Sequence, residues 1–449
     1  MSESGMAPSP NTLLRTRRLE AEWGRLDLVA KLEMLADELG DPRPQVEENL
    51  VGKWERGDRT PGPYYAPRLC LVFDATPEEI GLRSTPRLLA ELHRLTERRM
   101  KRRQFLVRSL AAGSVLVAGS NPSLVMLRDA GLPGLIEPGA LHIVPRQLDE
   151  ALLDEVHRRV ILCMEQWDRH PPDALLPAVA SYVDQLRGAL EVGPTPALAL
   201  RIRTIASEAA AFAGLLGWFM QRRLVAEAYL SIADQLAEQA GHMLVQAIVM
   251  TIRADFHSRV QAGRREGSAI SRSFLEAGQA LLGPVPSVFR AWVLQRQAEE
   301  YAAIGDERLC QRCLELADTA FSAVDVPPPG MFAHWSWDMH AAFRGNCEQL
   351  LGQYRLSVET LTGVLVRIDP SASSNRAALQ ADIAAAAAQQ GETEQACALL
   401  MQSLAVAVRS GLRERVKRIA GIRTAYLPPA GHEPTVRELD EQLKAFGWR

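Results

Sequence analysis

Phe, Tyr and Ile are sparse in this chain, with 7 Tyr and 11 Phe in 449 residues, and no stretch sustains the alternation of β-branched and polar residues that a half-buried strand needs. A sheet-built core is excluded on that ground. Cysteine is scarce too: Cys70, Cys163, Cys310, Cys313, Cys347 and Cys397 are scattered through a large chain whose start does not read as a secretory leader. A disulfide framework is therefore not expected, and a reducing cytoplasm is the expected location. Excess positive charge is also missing. A formal net charge of -3 excludes a protein whose whole surface embraces nucleic acid and leaves room for one basic patch. The nearest approach to a membrane or export signal is Lys101-Arg102-Arg103-Gln104-Phe105-Leu106 with the apolar run behind it, which looks like a twin-arginine signal. It lies about a hundred residues into the chain, Arg108 interrupts the run, and the run is shorter than the roughly 18 residues of a membrane span.

Chemistry is missing as well. There is no phosphate-cradling glycine loop, no nucleophile elbow and no His-Glu-x-x-His, and the nine histidines are dispersed. Cys310-x-x-Cys313 has the spacing of a thiol or metal pair, yet it falls inside a helical pattern with no second pair at ligand spacing, so two buried small residues account for it. The expectation is a protein that is not an enzyme and needs no cofactor or metal.

What is present is helix. Ala, Leu, Arg, Glu and Gln dominate, and the length exceeds what one hydrophobic core fills, so the chain is expected to be all-α and to hold more than one unit, or one long repeat array. Three regions follow: an N-terminal domain over 11–82, a basic helical linker over 83–146 with seven Lys or Arg between Arg94 and Arg108, and a helical repeat domain over 147–449.

In the first region short helices alternate with punctuation. The spacing predicts helices over Thr12 to Trp23 and Leu26 to Leu39, a loop forced by Pro42 and Pro44, a third helix over Val46 to Glu55 closed by Gly57, and a fourth over Tyr64 to Phe73. Thr76-Pro77-Glu78-Glu79 then reads as a capped helical turn. On the third helix Val46, Leu50, Val51 and Trp54 share one face. Glu48, Asn49, Gly52, Lys53 and Arg56 are left on or near the other, where Asn can contact adenine and Lys a guanine edge or a phosphate. Arg56 and Arg59 would fix register on phosphates, Tyr64 or Tyr65 would add a hydroxyl contact, and Gly52 would allow close approach of the backbone.

The segment from Val46 to Gly57, ending in Trp54-Glu55-Arg56-Gly57, with Pro63-Tyr64-Tyr65 and the closure from Thr76 to Leu82, resembles the XRE, or Cro/repressor-like, helix-turn-helix family in its actinobacterial form. The resemblance covers residues 11 to 82 and implies binding to double-stranded DNA, by a homodimer because short operators are read as two half-sites. Two features depart from the family pattern. Glu47 opens the recognition helix where Ser or Thr is common and, with Glu48, brings negative charge towards phosphates; the link between the second and third helices is also long.

Behind the linker, glycines recur between Ala- and Leu-rich helical patterns at Gly217, Gly263, Gly305, Gly352 and Gly391, with spacings of 46, 42, 47 and 39 residues. The hairpins resemble tetratricopeptide repeats, the best copy running from Ala298 through Gly305 to Ala317. Stacked pairs present a concave face built by their first helices, where a peptide, small molecule or protein partner can lie. Arg253, His257, Arg296, Glu299, Trp337, Arg344 and Asn346 are the candidates for that face. Phe332, His334, Trp335, Trp337, His340 and Phe343 form the densest aromatic cluster, explained either by a ligand clamp or by packing between repeats. The whole is expected to be a DNA-binding transcriptional regulator with a dimerising, ligand-sensing repeat domain; the alternative is an interaction scaffold whose DNA affinity is weak or lost.

Overall fold

The computed structural model describes residues 10–98 apart from 22, 93 and 97, residues 149–429, and residues 433–446. Among these residues the chain is all-α, without a strand, and it divides into two compact units, residues 1–119 with 222–228 and residues 120–221 with 229–449. Most of the expected linker, including the twin-arginine-like run and most of the basic cluster, lies outside the described residues.

The N-terminal unit contains α1 (Thr12–Glu20), α2 (Arg25–Leu39), α3 (Glu48–Arg56) and α4 (Tyr65–Phe73), followed by a 3-10 turn at Glu78–Ile80. The Asn11 carboxamide caps α1 by accepting from Leu14 N at 3.0 Å, and its Nδ2 donates to Ile80 O at 2.9 Å, so one side chain both starts the first helix and holds the closing turn. The Glu79 arm of the expected capping box is formed, with Thr76 N donating to Glu79 Oε2 at 2.8 Å. Leu14, Leu28, Leu32, Leu35, Val51, Trp54 and Leu69 make the core, which is the apolar face that the helical spacing predicts.

The larger unit is a succession of helices, many of them paired: α5 (Glu150–Glu165), α6 (Pro172–Glu191), α7 (Pro196–Phe219), α8 (Arg223–Ala240, of which residues 223–228 belong to the N-terminal unit), α9 (Met243–His257), α10 (Ala269–Leu282), α11 (Val288–Ala303), α12 (Glu307–Ser322), α13 (Trp337–Leu350), α14 (Tyr354–Arg367), α15 (Ser373–Gln389), α16 (Thr393–Arg409), α17 (Arg413–Tyr426) and α18 (Pro434–Ala445). Starts are encoded locally. Thr195, Ser287 and Asp306 accept from the backbone three residues on, and Pro172 and Pro196 occupy first-turn positions where no amide hydrogen is missed. Gly305, Gly352 and Gly391 end helices with φ between 78° and 88°, the left-handed conformation that disfavours a Cβ.

Gly217 departs from that expectation. It lies inside α7, buried, and the left-handed turn falls at Gln221 with φ 53°. Continuous packing of Ala209, Ala210, Ala211, Phe212 and Ala213 carries the helix through a glycine that local sequence alone would make a stop.

The first helices of successive pairs, α7, α9, α11, α13, α15 and α17, each pack on the next, and α17 returns against α7, so the array closes into a ring rather than an open arc. The closure is tight. Arg418 Nη1 donates to Val260 O at 2.9 Å across 158 residues, and a Cβ on Gly421 would lie 1.8 Å from Ala262 O. Only glycine lets these two backbones approach so closely. No helix among the described residues is long and apolar enough to cross a membrane.

Candidate functional site

The two candidate surfaces belong to different units. In the N-terminal unit the motif Trp54-Glu55-Arg56-Gly57 divides its labour residue by residue. Trp54 fills the core at 1 % exposure and packs against the Tyr65 ring at 5.1 Å. Glu55 is buried and receives Arg18 Nε at 2.6 Å and Arg25 Nε at 3.0 Å, which ties α3 to the first two helices. Burial pushes the Glu55 carboxyl up, but the two guanidinium bonds outweigh it and leave it below the ordinary carboxylate range. Arg56 is exposed and pairs with Asp58 at 2.8 Å. Gly57, at φ 79°, ends the helix.

With α3 held from beneath, Glu47, Glu48, Asn49, Lys53, Arg56 and Arg59 are exposed. The side chains of Asn49 and Lys53 have no hydrogen-bond partner among the described residues. Three expectations need correction. Gly52 is buried, and the guanidinium groups of Arg25 and Arg56 lie over it, within 3.2 Å of where a Cβ would stand, so its smallness accommodates two arginines of the same unit rather than an approaching backbone. The Tyr64 and Tyr65 hydroxyls donate to Pro42 O at 3.2 Å and Gln45 O at 3.0 Å. They therefore brace the long segment 40–47 that leads into α3. Asp41 in that segment binds Arg68 and accepts from Arg98 Nη2 at 2.7 Å, so the lengthened link is pinned at several points.

In the larger unit all six inner helices contribute to an axial cavity of about 170 Å³. One part of its wall is ionic. Arg296 Nη2 donates to Asp255 at 2.9 Å and Arg296 Nη1 to Glu299 at 2.8 Å. Glu299 also accepts from Asn346 Nδ2 at 2.6 Å and Gln261 Nε2 at 3.3 Å. Arg418 Nε donates to Asp382 at 3.0 Å. One guanidinium thus serves two carboxylates, and Glu299 has the better set of donors. Asp255 is left under-compensated, and burial pushes it up to about 6. Arg296, although buried, is held above the ordinary arginine value by the two acids. The other part of the wall is aromatic: Trp167 stacks on Phe219 at 5.2 Å, and Phe332 contacts both Trp292 and Trp335 at 5.2 Å.

Of the groove residues expected from sequence, Arg296, Glu299 and Asn346 line this cavity, as do Phe332, His334, Trp335 and Phe343 of the aromatic cluster. The others are occupied elsewhere. Arg253 donates to Asp234 at 3.0 Å, His257 stacks on Phe274 at 5.8 Å, and Arg344 donates to Asp318 at 2.8 Å. Trp337 is 54 % exposed and rests on the Phe321 ring at 4.9 Å, and His340 bonds Asp318 at 3.2 Å. Sequence reasoning missed Asp168, Asp255, Asp382, Arg415 and Arg418. The helical spacing of Asp255 from Ile252 and Ile248 was the one available signal, since the three fall on a single face of α9.

Cys310 and Cys313 are both buried in α12, and burial pushes the Cys313 thiol up to about 12. No cluster of three or more His, Cys, Asp or Glu able to hold a metal ion occurs among the described residues. Compared with family models, with curated proteins and with solved structures, the chain matches none of them.

Proposed function

We propose that this chain is a sequence-specific DNA-binding transcriptional regulator, not an enzyme, which reads the major groove with α3, acts as a homodimer on paired half-sites and senses a ligand through its helical ring. The observation that carries the reading is the division of α3. Its apolar side and Glu55 are locked into the unit, while Asn49 and Lys53 are exposed and unengaged beside Arg56 and Arg59. A helix held rigidly with hydrogen-bonding side chains outward is what base-edge readout requires. The axial cavity supports the sensing part, because it brings charged and aromatic groups together in one place.

A second reading, an interaction scaffold without DNA affinity, is favoured by the exposed pair Glu47 and Glu48 at the start of α3, which would repel phosphates. Selection from a random duplex library followed by a salt titration separates the two. The regulator should enrich a two-part site, and its affinity should fall steeply with salt, about tenfold or more between low and physiological ionic strength. Asn49→Ala should relax preference at one position by about 1–3 kcal/mol, whereas Lys53→Ala weakens binding across sequences if it meets a phosphate. No enrichment and no salt dependence would leave the scaffold.

A further inference from the structure

The axial cavity contains one charged side chain that the ring does not neutralise. Each arginine on its wall has an acidic partner: Arg296 has Asp255 and Glu299, Arg418 has Asp382, and Arg415 has Glu414 at 3.1 Å. Asp168 forms no ion pair among the described residues, is only 6 % exposed, and its Oδ1 is buried without a hydrogen bond. Its neighbour Arg169 pairs instead with Asp369 at 3.2 Å. Burial pushes the Asp168 carboxyl up, and nearby Arg169 and His334, neither of them ion-paired with it, pull it down without overcoming that rise. A lone buried carboxylate would be a defect were the cavity simply filler.

Its surroundings supply what a cation needs. Trp167 adjoins it in sequence, and Trp292, Phe332 and Trp335 line the same cavity. Aromatic faces attract cations through their quadrupole, the more so when water is excluded. Two ring faces of this wall already carry resident guanidinium groups, Arg296 over Phe343 at 5.7 Å and Arg415 over Phe219 at 6.0 Å. Size guides the choice of guest: about 170 Å³ compares with the roughly 150 Å³ that accommodates benzene. A second pocket, lined by Arg169, Ser336 and Arg367, shares Asp168 and His334 with the cavity, so Asp168 borders both.

We propose that the cavity binds a small organic cation, an ammonium compound about the size of a substituted benzene, with its charge met by Asp168 and the tryptophan faces. This inference rests on the reading that the helical ring takes a ligand, and it names the chemical class.

Three probes that share a phenol ring and differ in the charge of the side chain test it by calorimetric titration of the full chain: tyramine, its neutral alcohol analogue tyrosol, and the anionic 3-(4-hydroxyphenyl)propionate. Tyramine should bind saturably at one site per chain, tyrosol about tenfold more weakly, and the propionate not at all. Asp168→Asn should bring tyramine to the level of tyrosol and leave tyrosol unchanged. Trp335→Leu, which removes a ring face from the wall, should weaken tyramine more than tyrosol. Equal binding of tyramine and tyrosol, or tyramine binding untouched in Asp168→Asn, overturns the assignment. Saturable binding of the propionate overturns the cation but retains a ligand-taking ring, whereas no binding by any probe removes both. The charge series in the unmodified chain decides even where a variant fails to fold.

Discussion

Glu55 shows how one residue can carry a recognisable motif for reasons unrelated to the surface it serves. Its side chain is 2 % exposed and bonded to Arg18 and Arg25, so its conformation decides how α3 is presented. Glu55→Gln would leave Arg18, itself 8 % exposed, without a full counter-charge in the interior, and removing one partner of a buried pair typically costs about 3–5 kcal/mol. The expected outcome is a large drop in the urea midpoint of the N-terminal unit. Replacing Arg18 and Glu55 together by apolar residues of similar volume should recover much of that loss, because the charge then left without Glu55, that of Arg25, is 36 % exposed and can be hydrated. The carboxyl lies below its ordinary range, so its contribution is present above the unfolded pKa and fades as pH falls through the folded one. If Glu55→Gln matched the unmodified chain in urea, the anchoring role would be lost. Lys53 and Asn49 provide the contrast: neither is built into the unit, so their replacement should alter binding without altering stability.

Elements were largely legible from sequence, and their closure was not. The spacing over 26 to 39 and the glycines at 305, 352 and 391 gave helices and their ends, because caps and left-handed turns are decided within a few residues. The ring depends on α17 meeting 260–263 across some 158 residues, a separation about which local pattern says nothing. The cavity follows the same rule: Arg296 and Asn346 could be suspected as polar groups on inner helices, but Asp168 and Arg418 acquire their role only when distant segments converge. Gly421 measures how tight that convergence is. Gly421→Ala would place a carbon 1.8 Å from Ala262 O, backbone that cannot yield, and overpacking of this kind costs about 1–3 kcal/mol despite alanine's better helix propensity. Gly188→Ala in α6, where nothing lies within 4 Å of the new carbon, should instead stabilise by up to about 1 kcal/mol. Thermal melts of the two variants should therefore shift in opposite directions, and a parallel shift would show that closure is looser than the structure makes it.

At the scale of the whole chain, a net charge of -3 conceals interior charge that ties stability to pH. Glu208 is pushed up by burial yet brought down to about 2 by His157 and His242, so what it contributes is present above its unfolded value of 4.5 and disappears only in strong acid. His157, bonded to Glu208 at 2.9 Å, is raised above 6.5. Its contribution is complete below 6.5 and is lost as pH climbs through the raised value. Asp255 works in the same direction lower on the scale. An acid whose folded pKa is raised favours the folded state most when neutral, so stability falls as pH rises from 3.8 to about 6. From these groups the larger unit is expected to melt highest on the mildly acidic side and to lose stability towards pH 8, against an opposing gain up to pH 6.5 from His170 and His340, which burial pushes below their ordinary value. Asp255→Asn tests the physical cause. It removes the titrating group while Arg296 keeps Glu299 at 2.8 Å, turning one guanidinium between two acids into a simple pair. The variant should lose Asp255's share of the decline between pH 4 and 6, on the order of a few kcal/mol, keep the shares of Asp168, Glu300 and Glu348, which burial also pushes up, and keep the part above 6.5 that belongs to His157. A variant whose melting profile fell through pH 4 to 6 as steeply as that of the unmodified chain would mean that Asp255 is ionised throughout and that Arg296 satisfies both carboxylates.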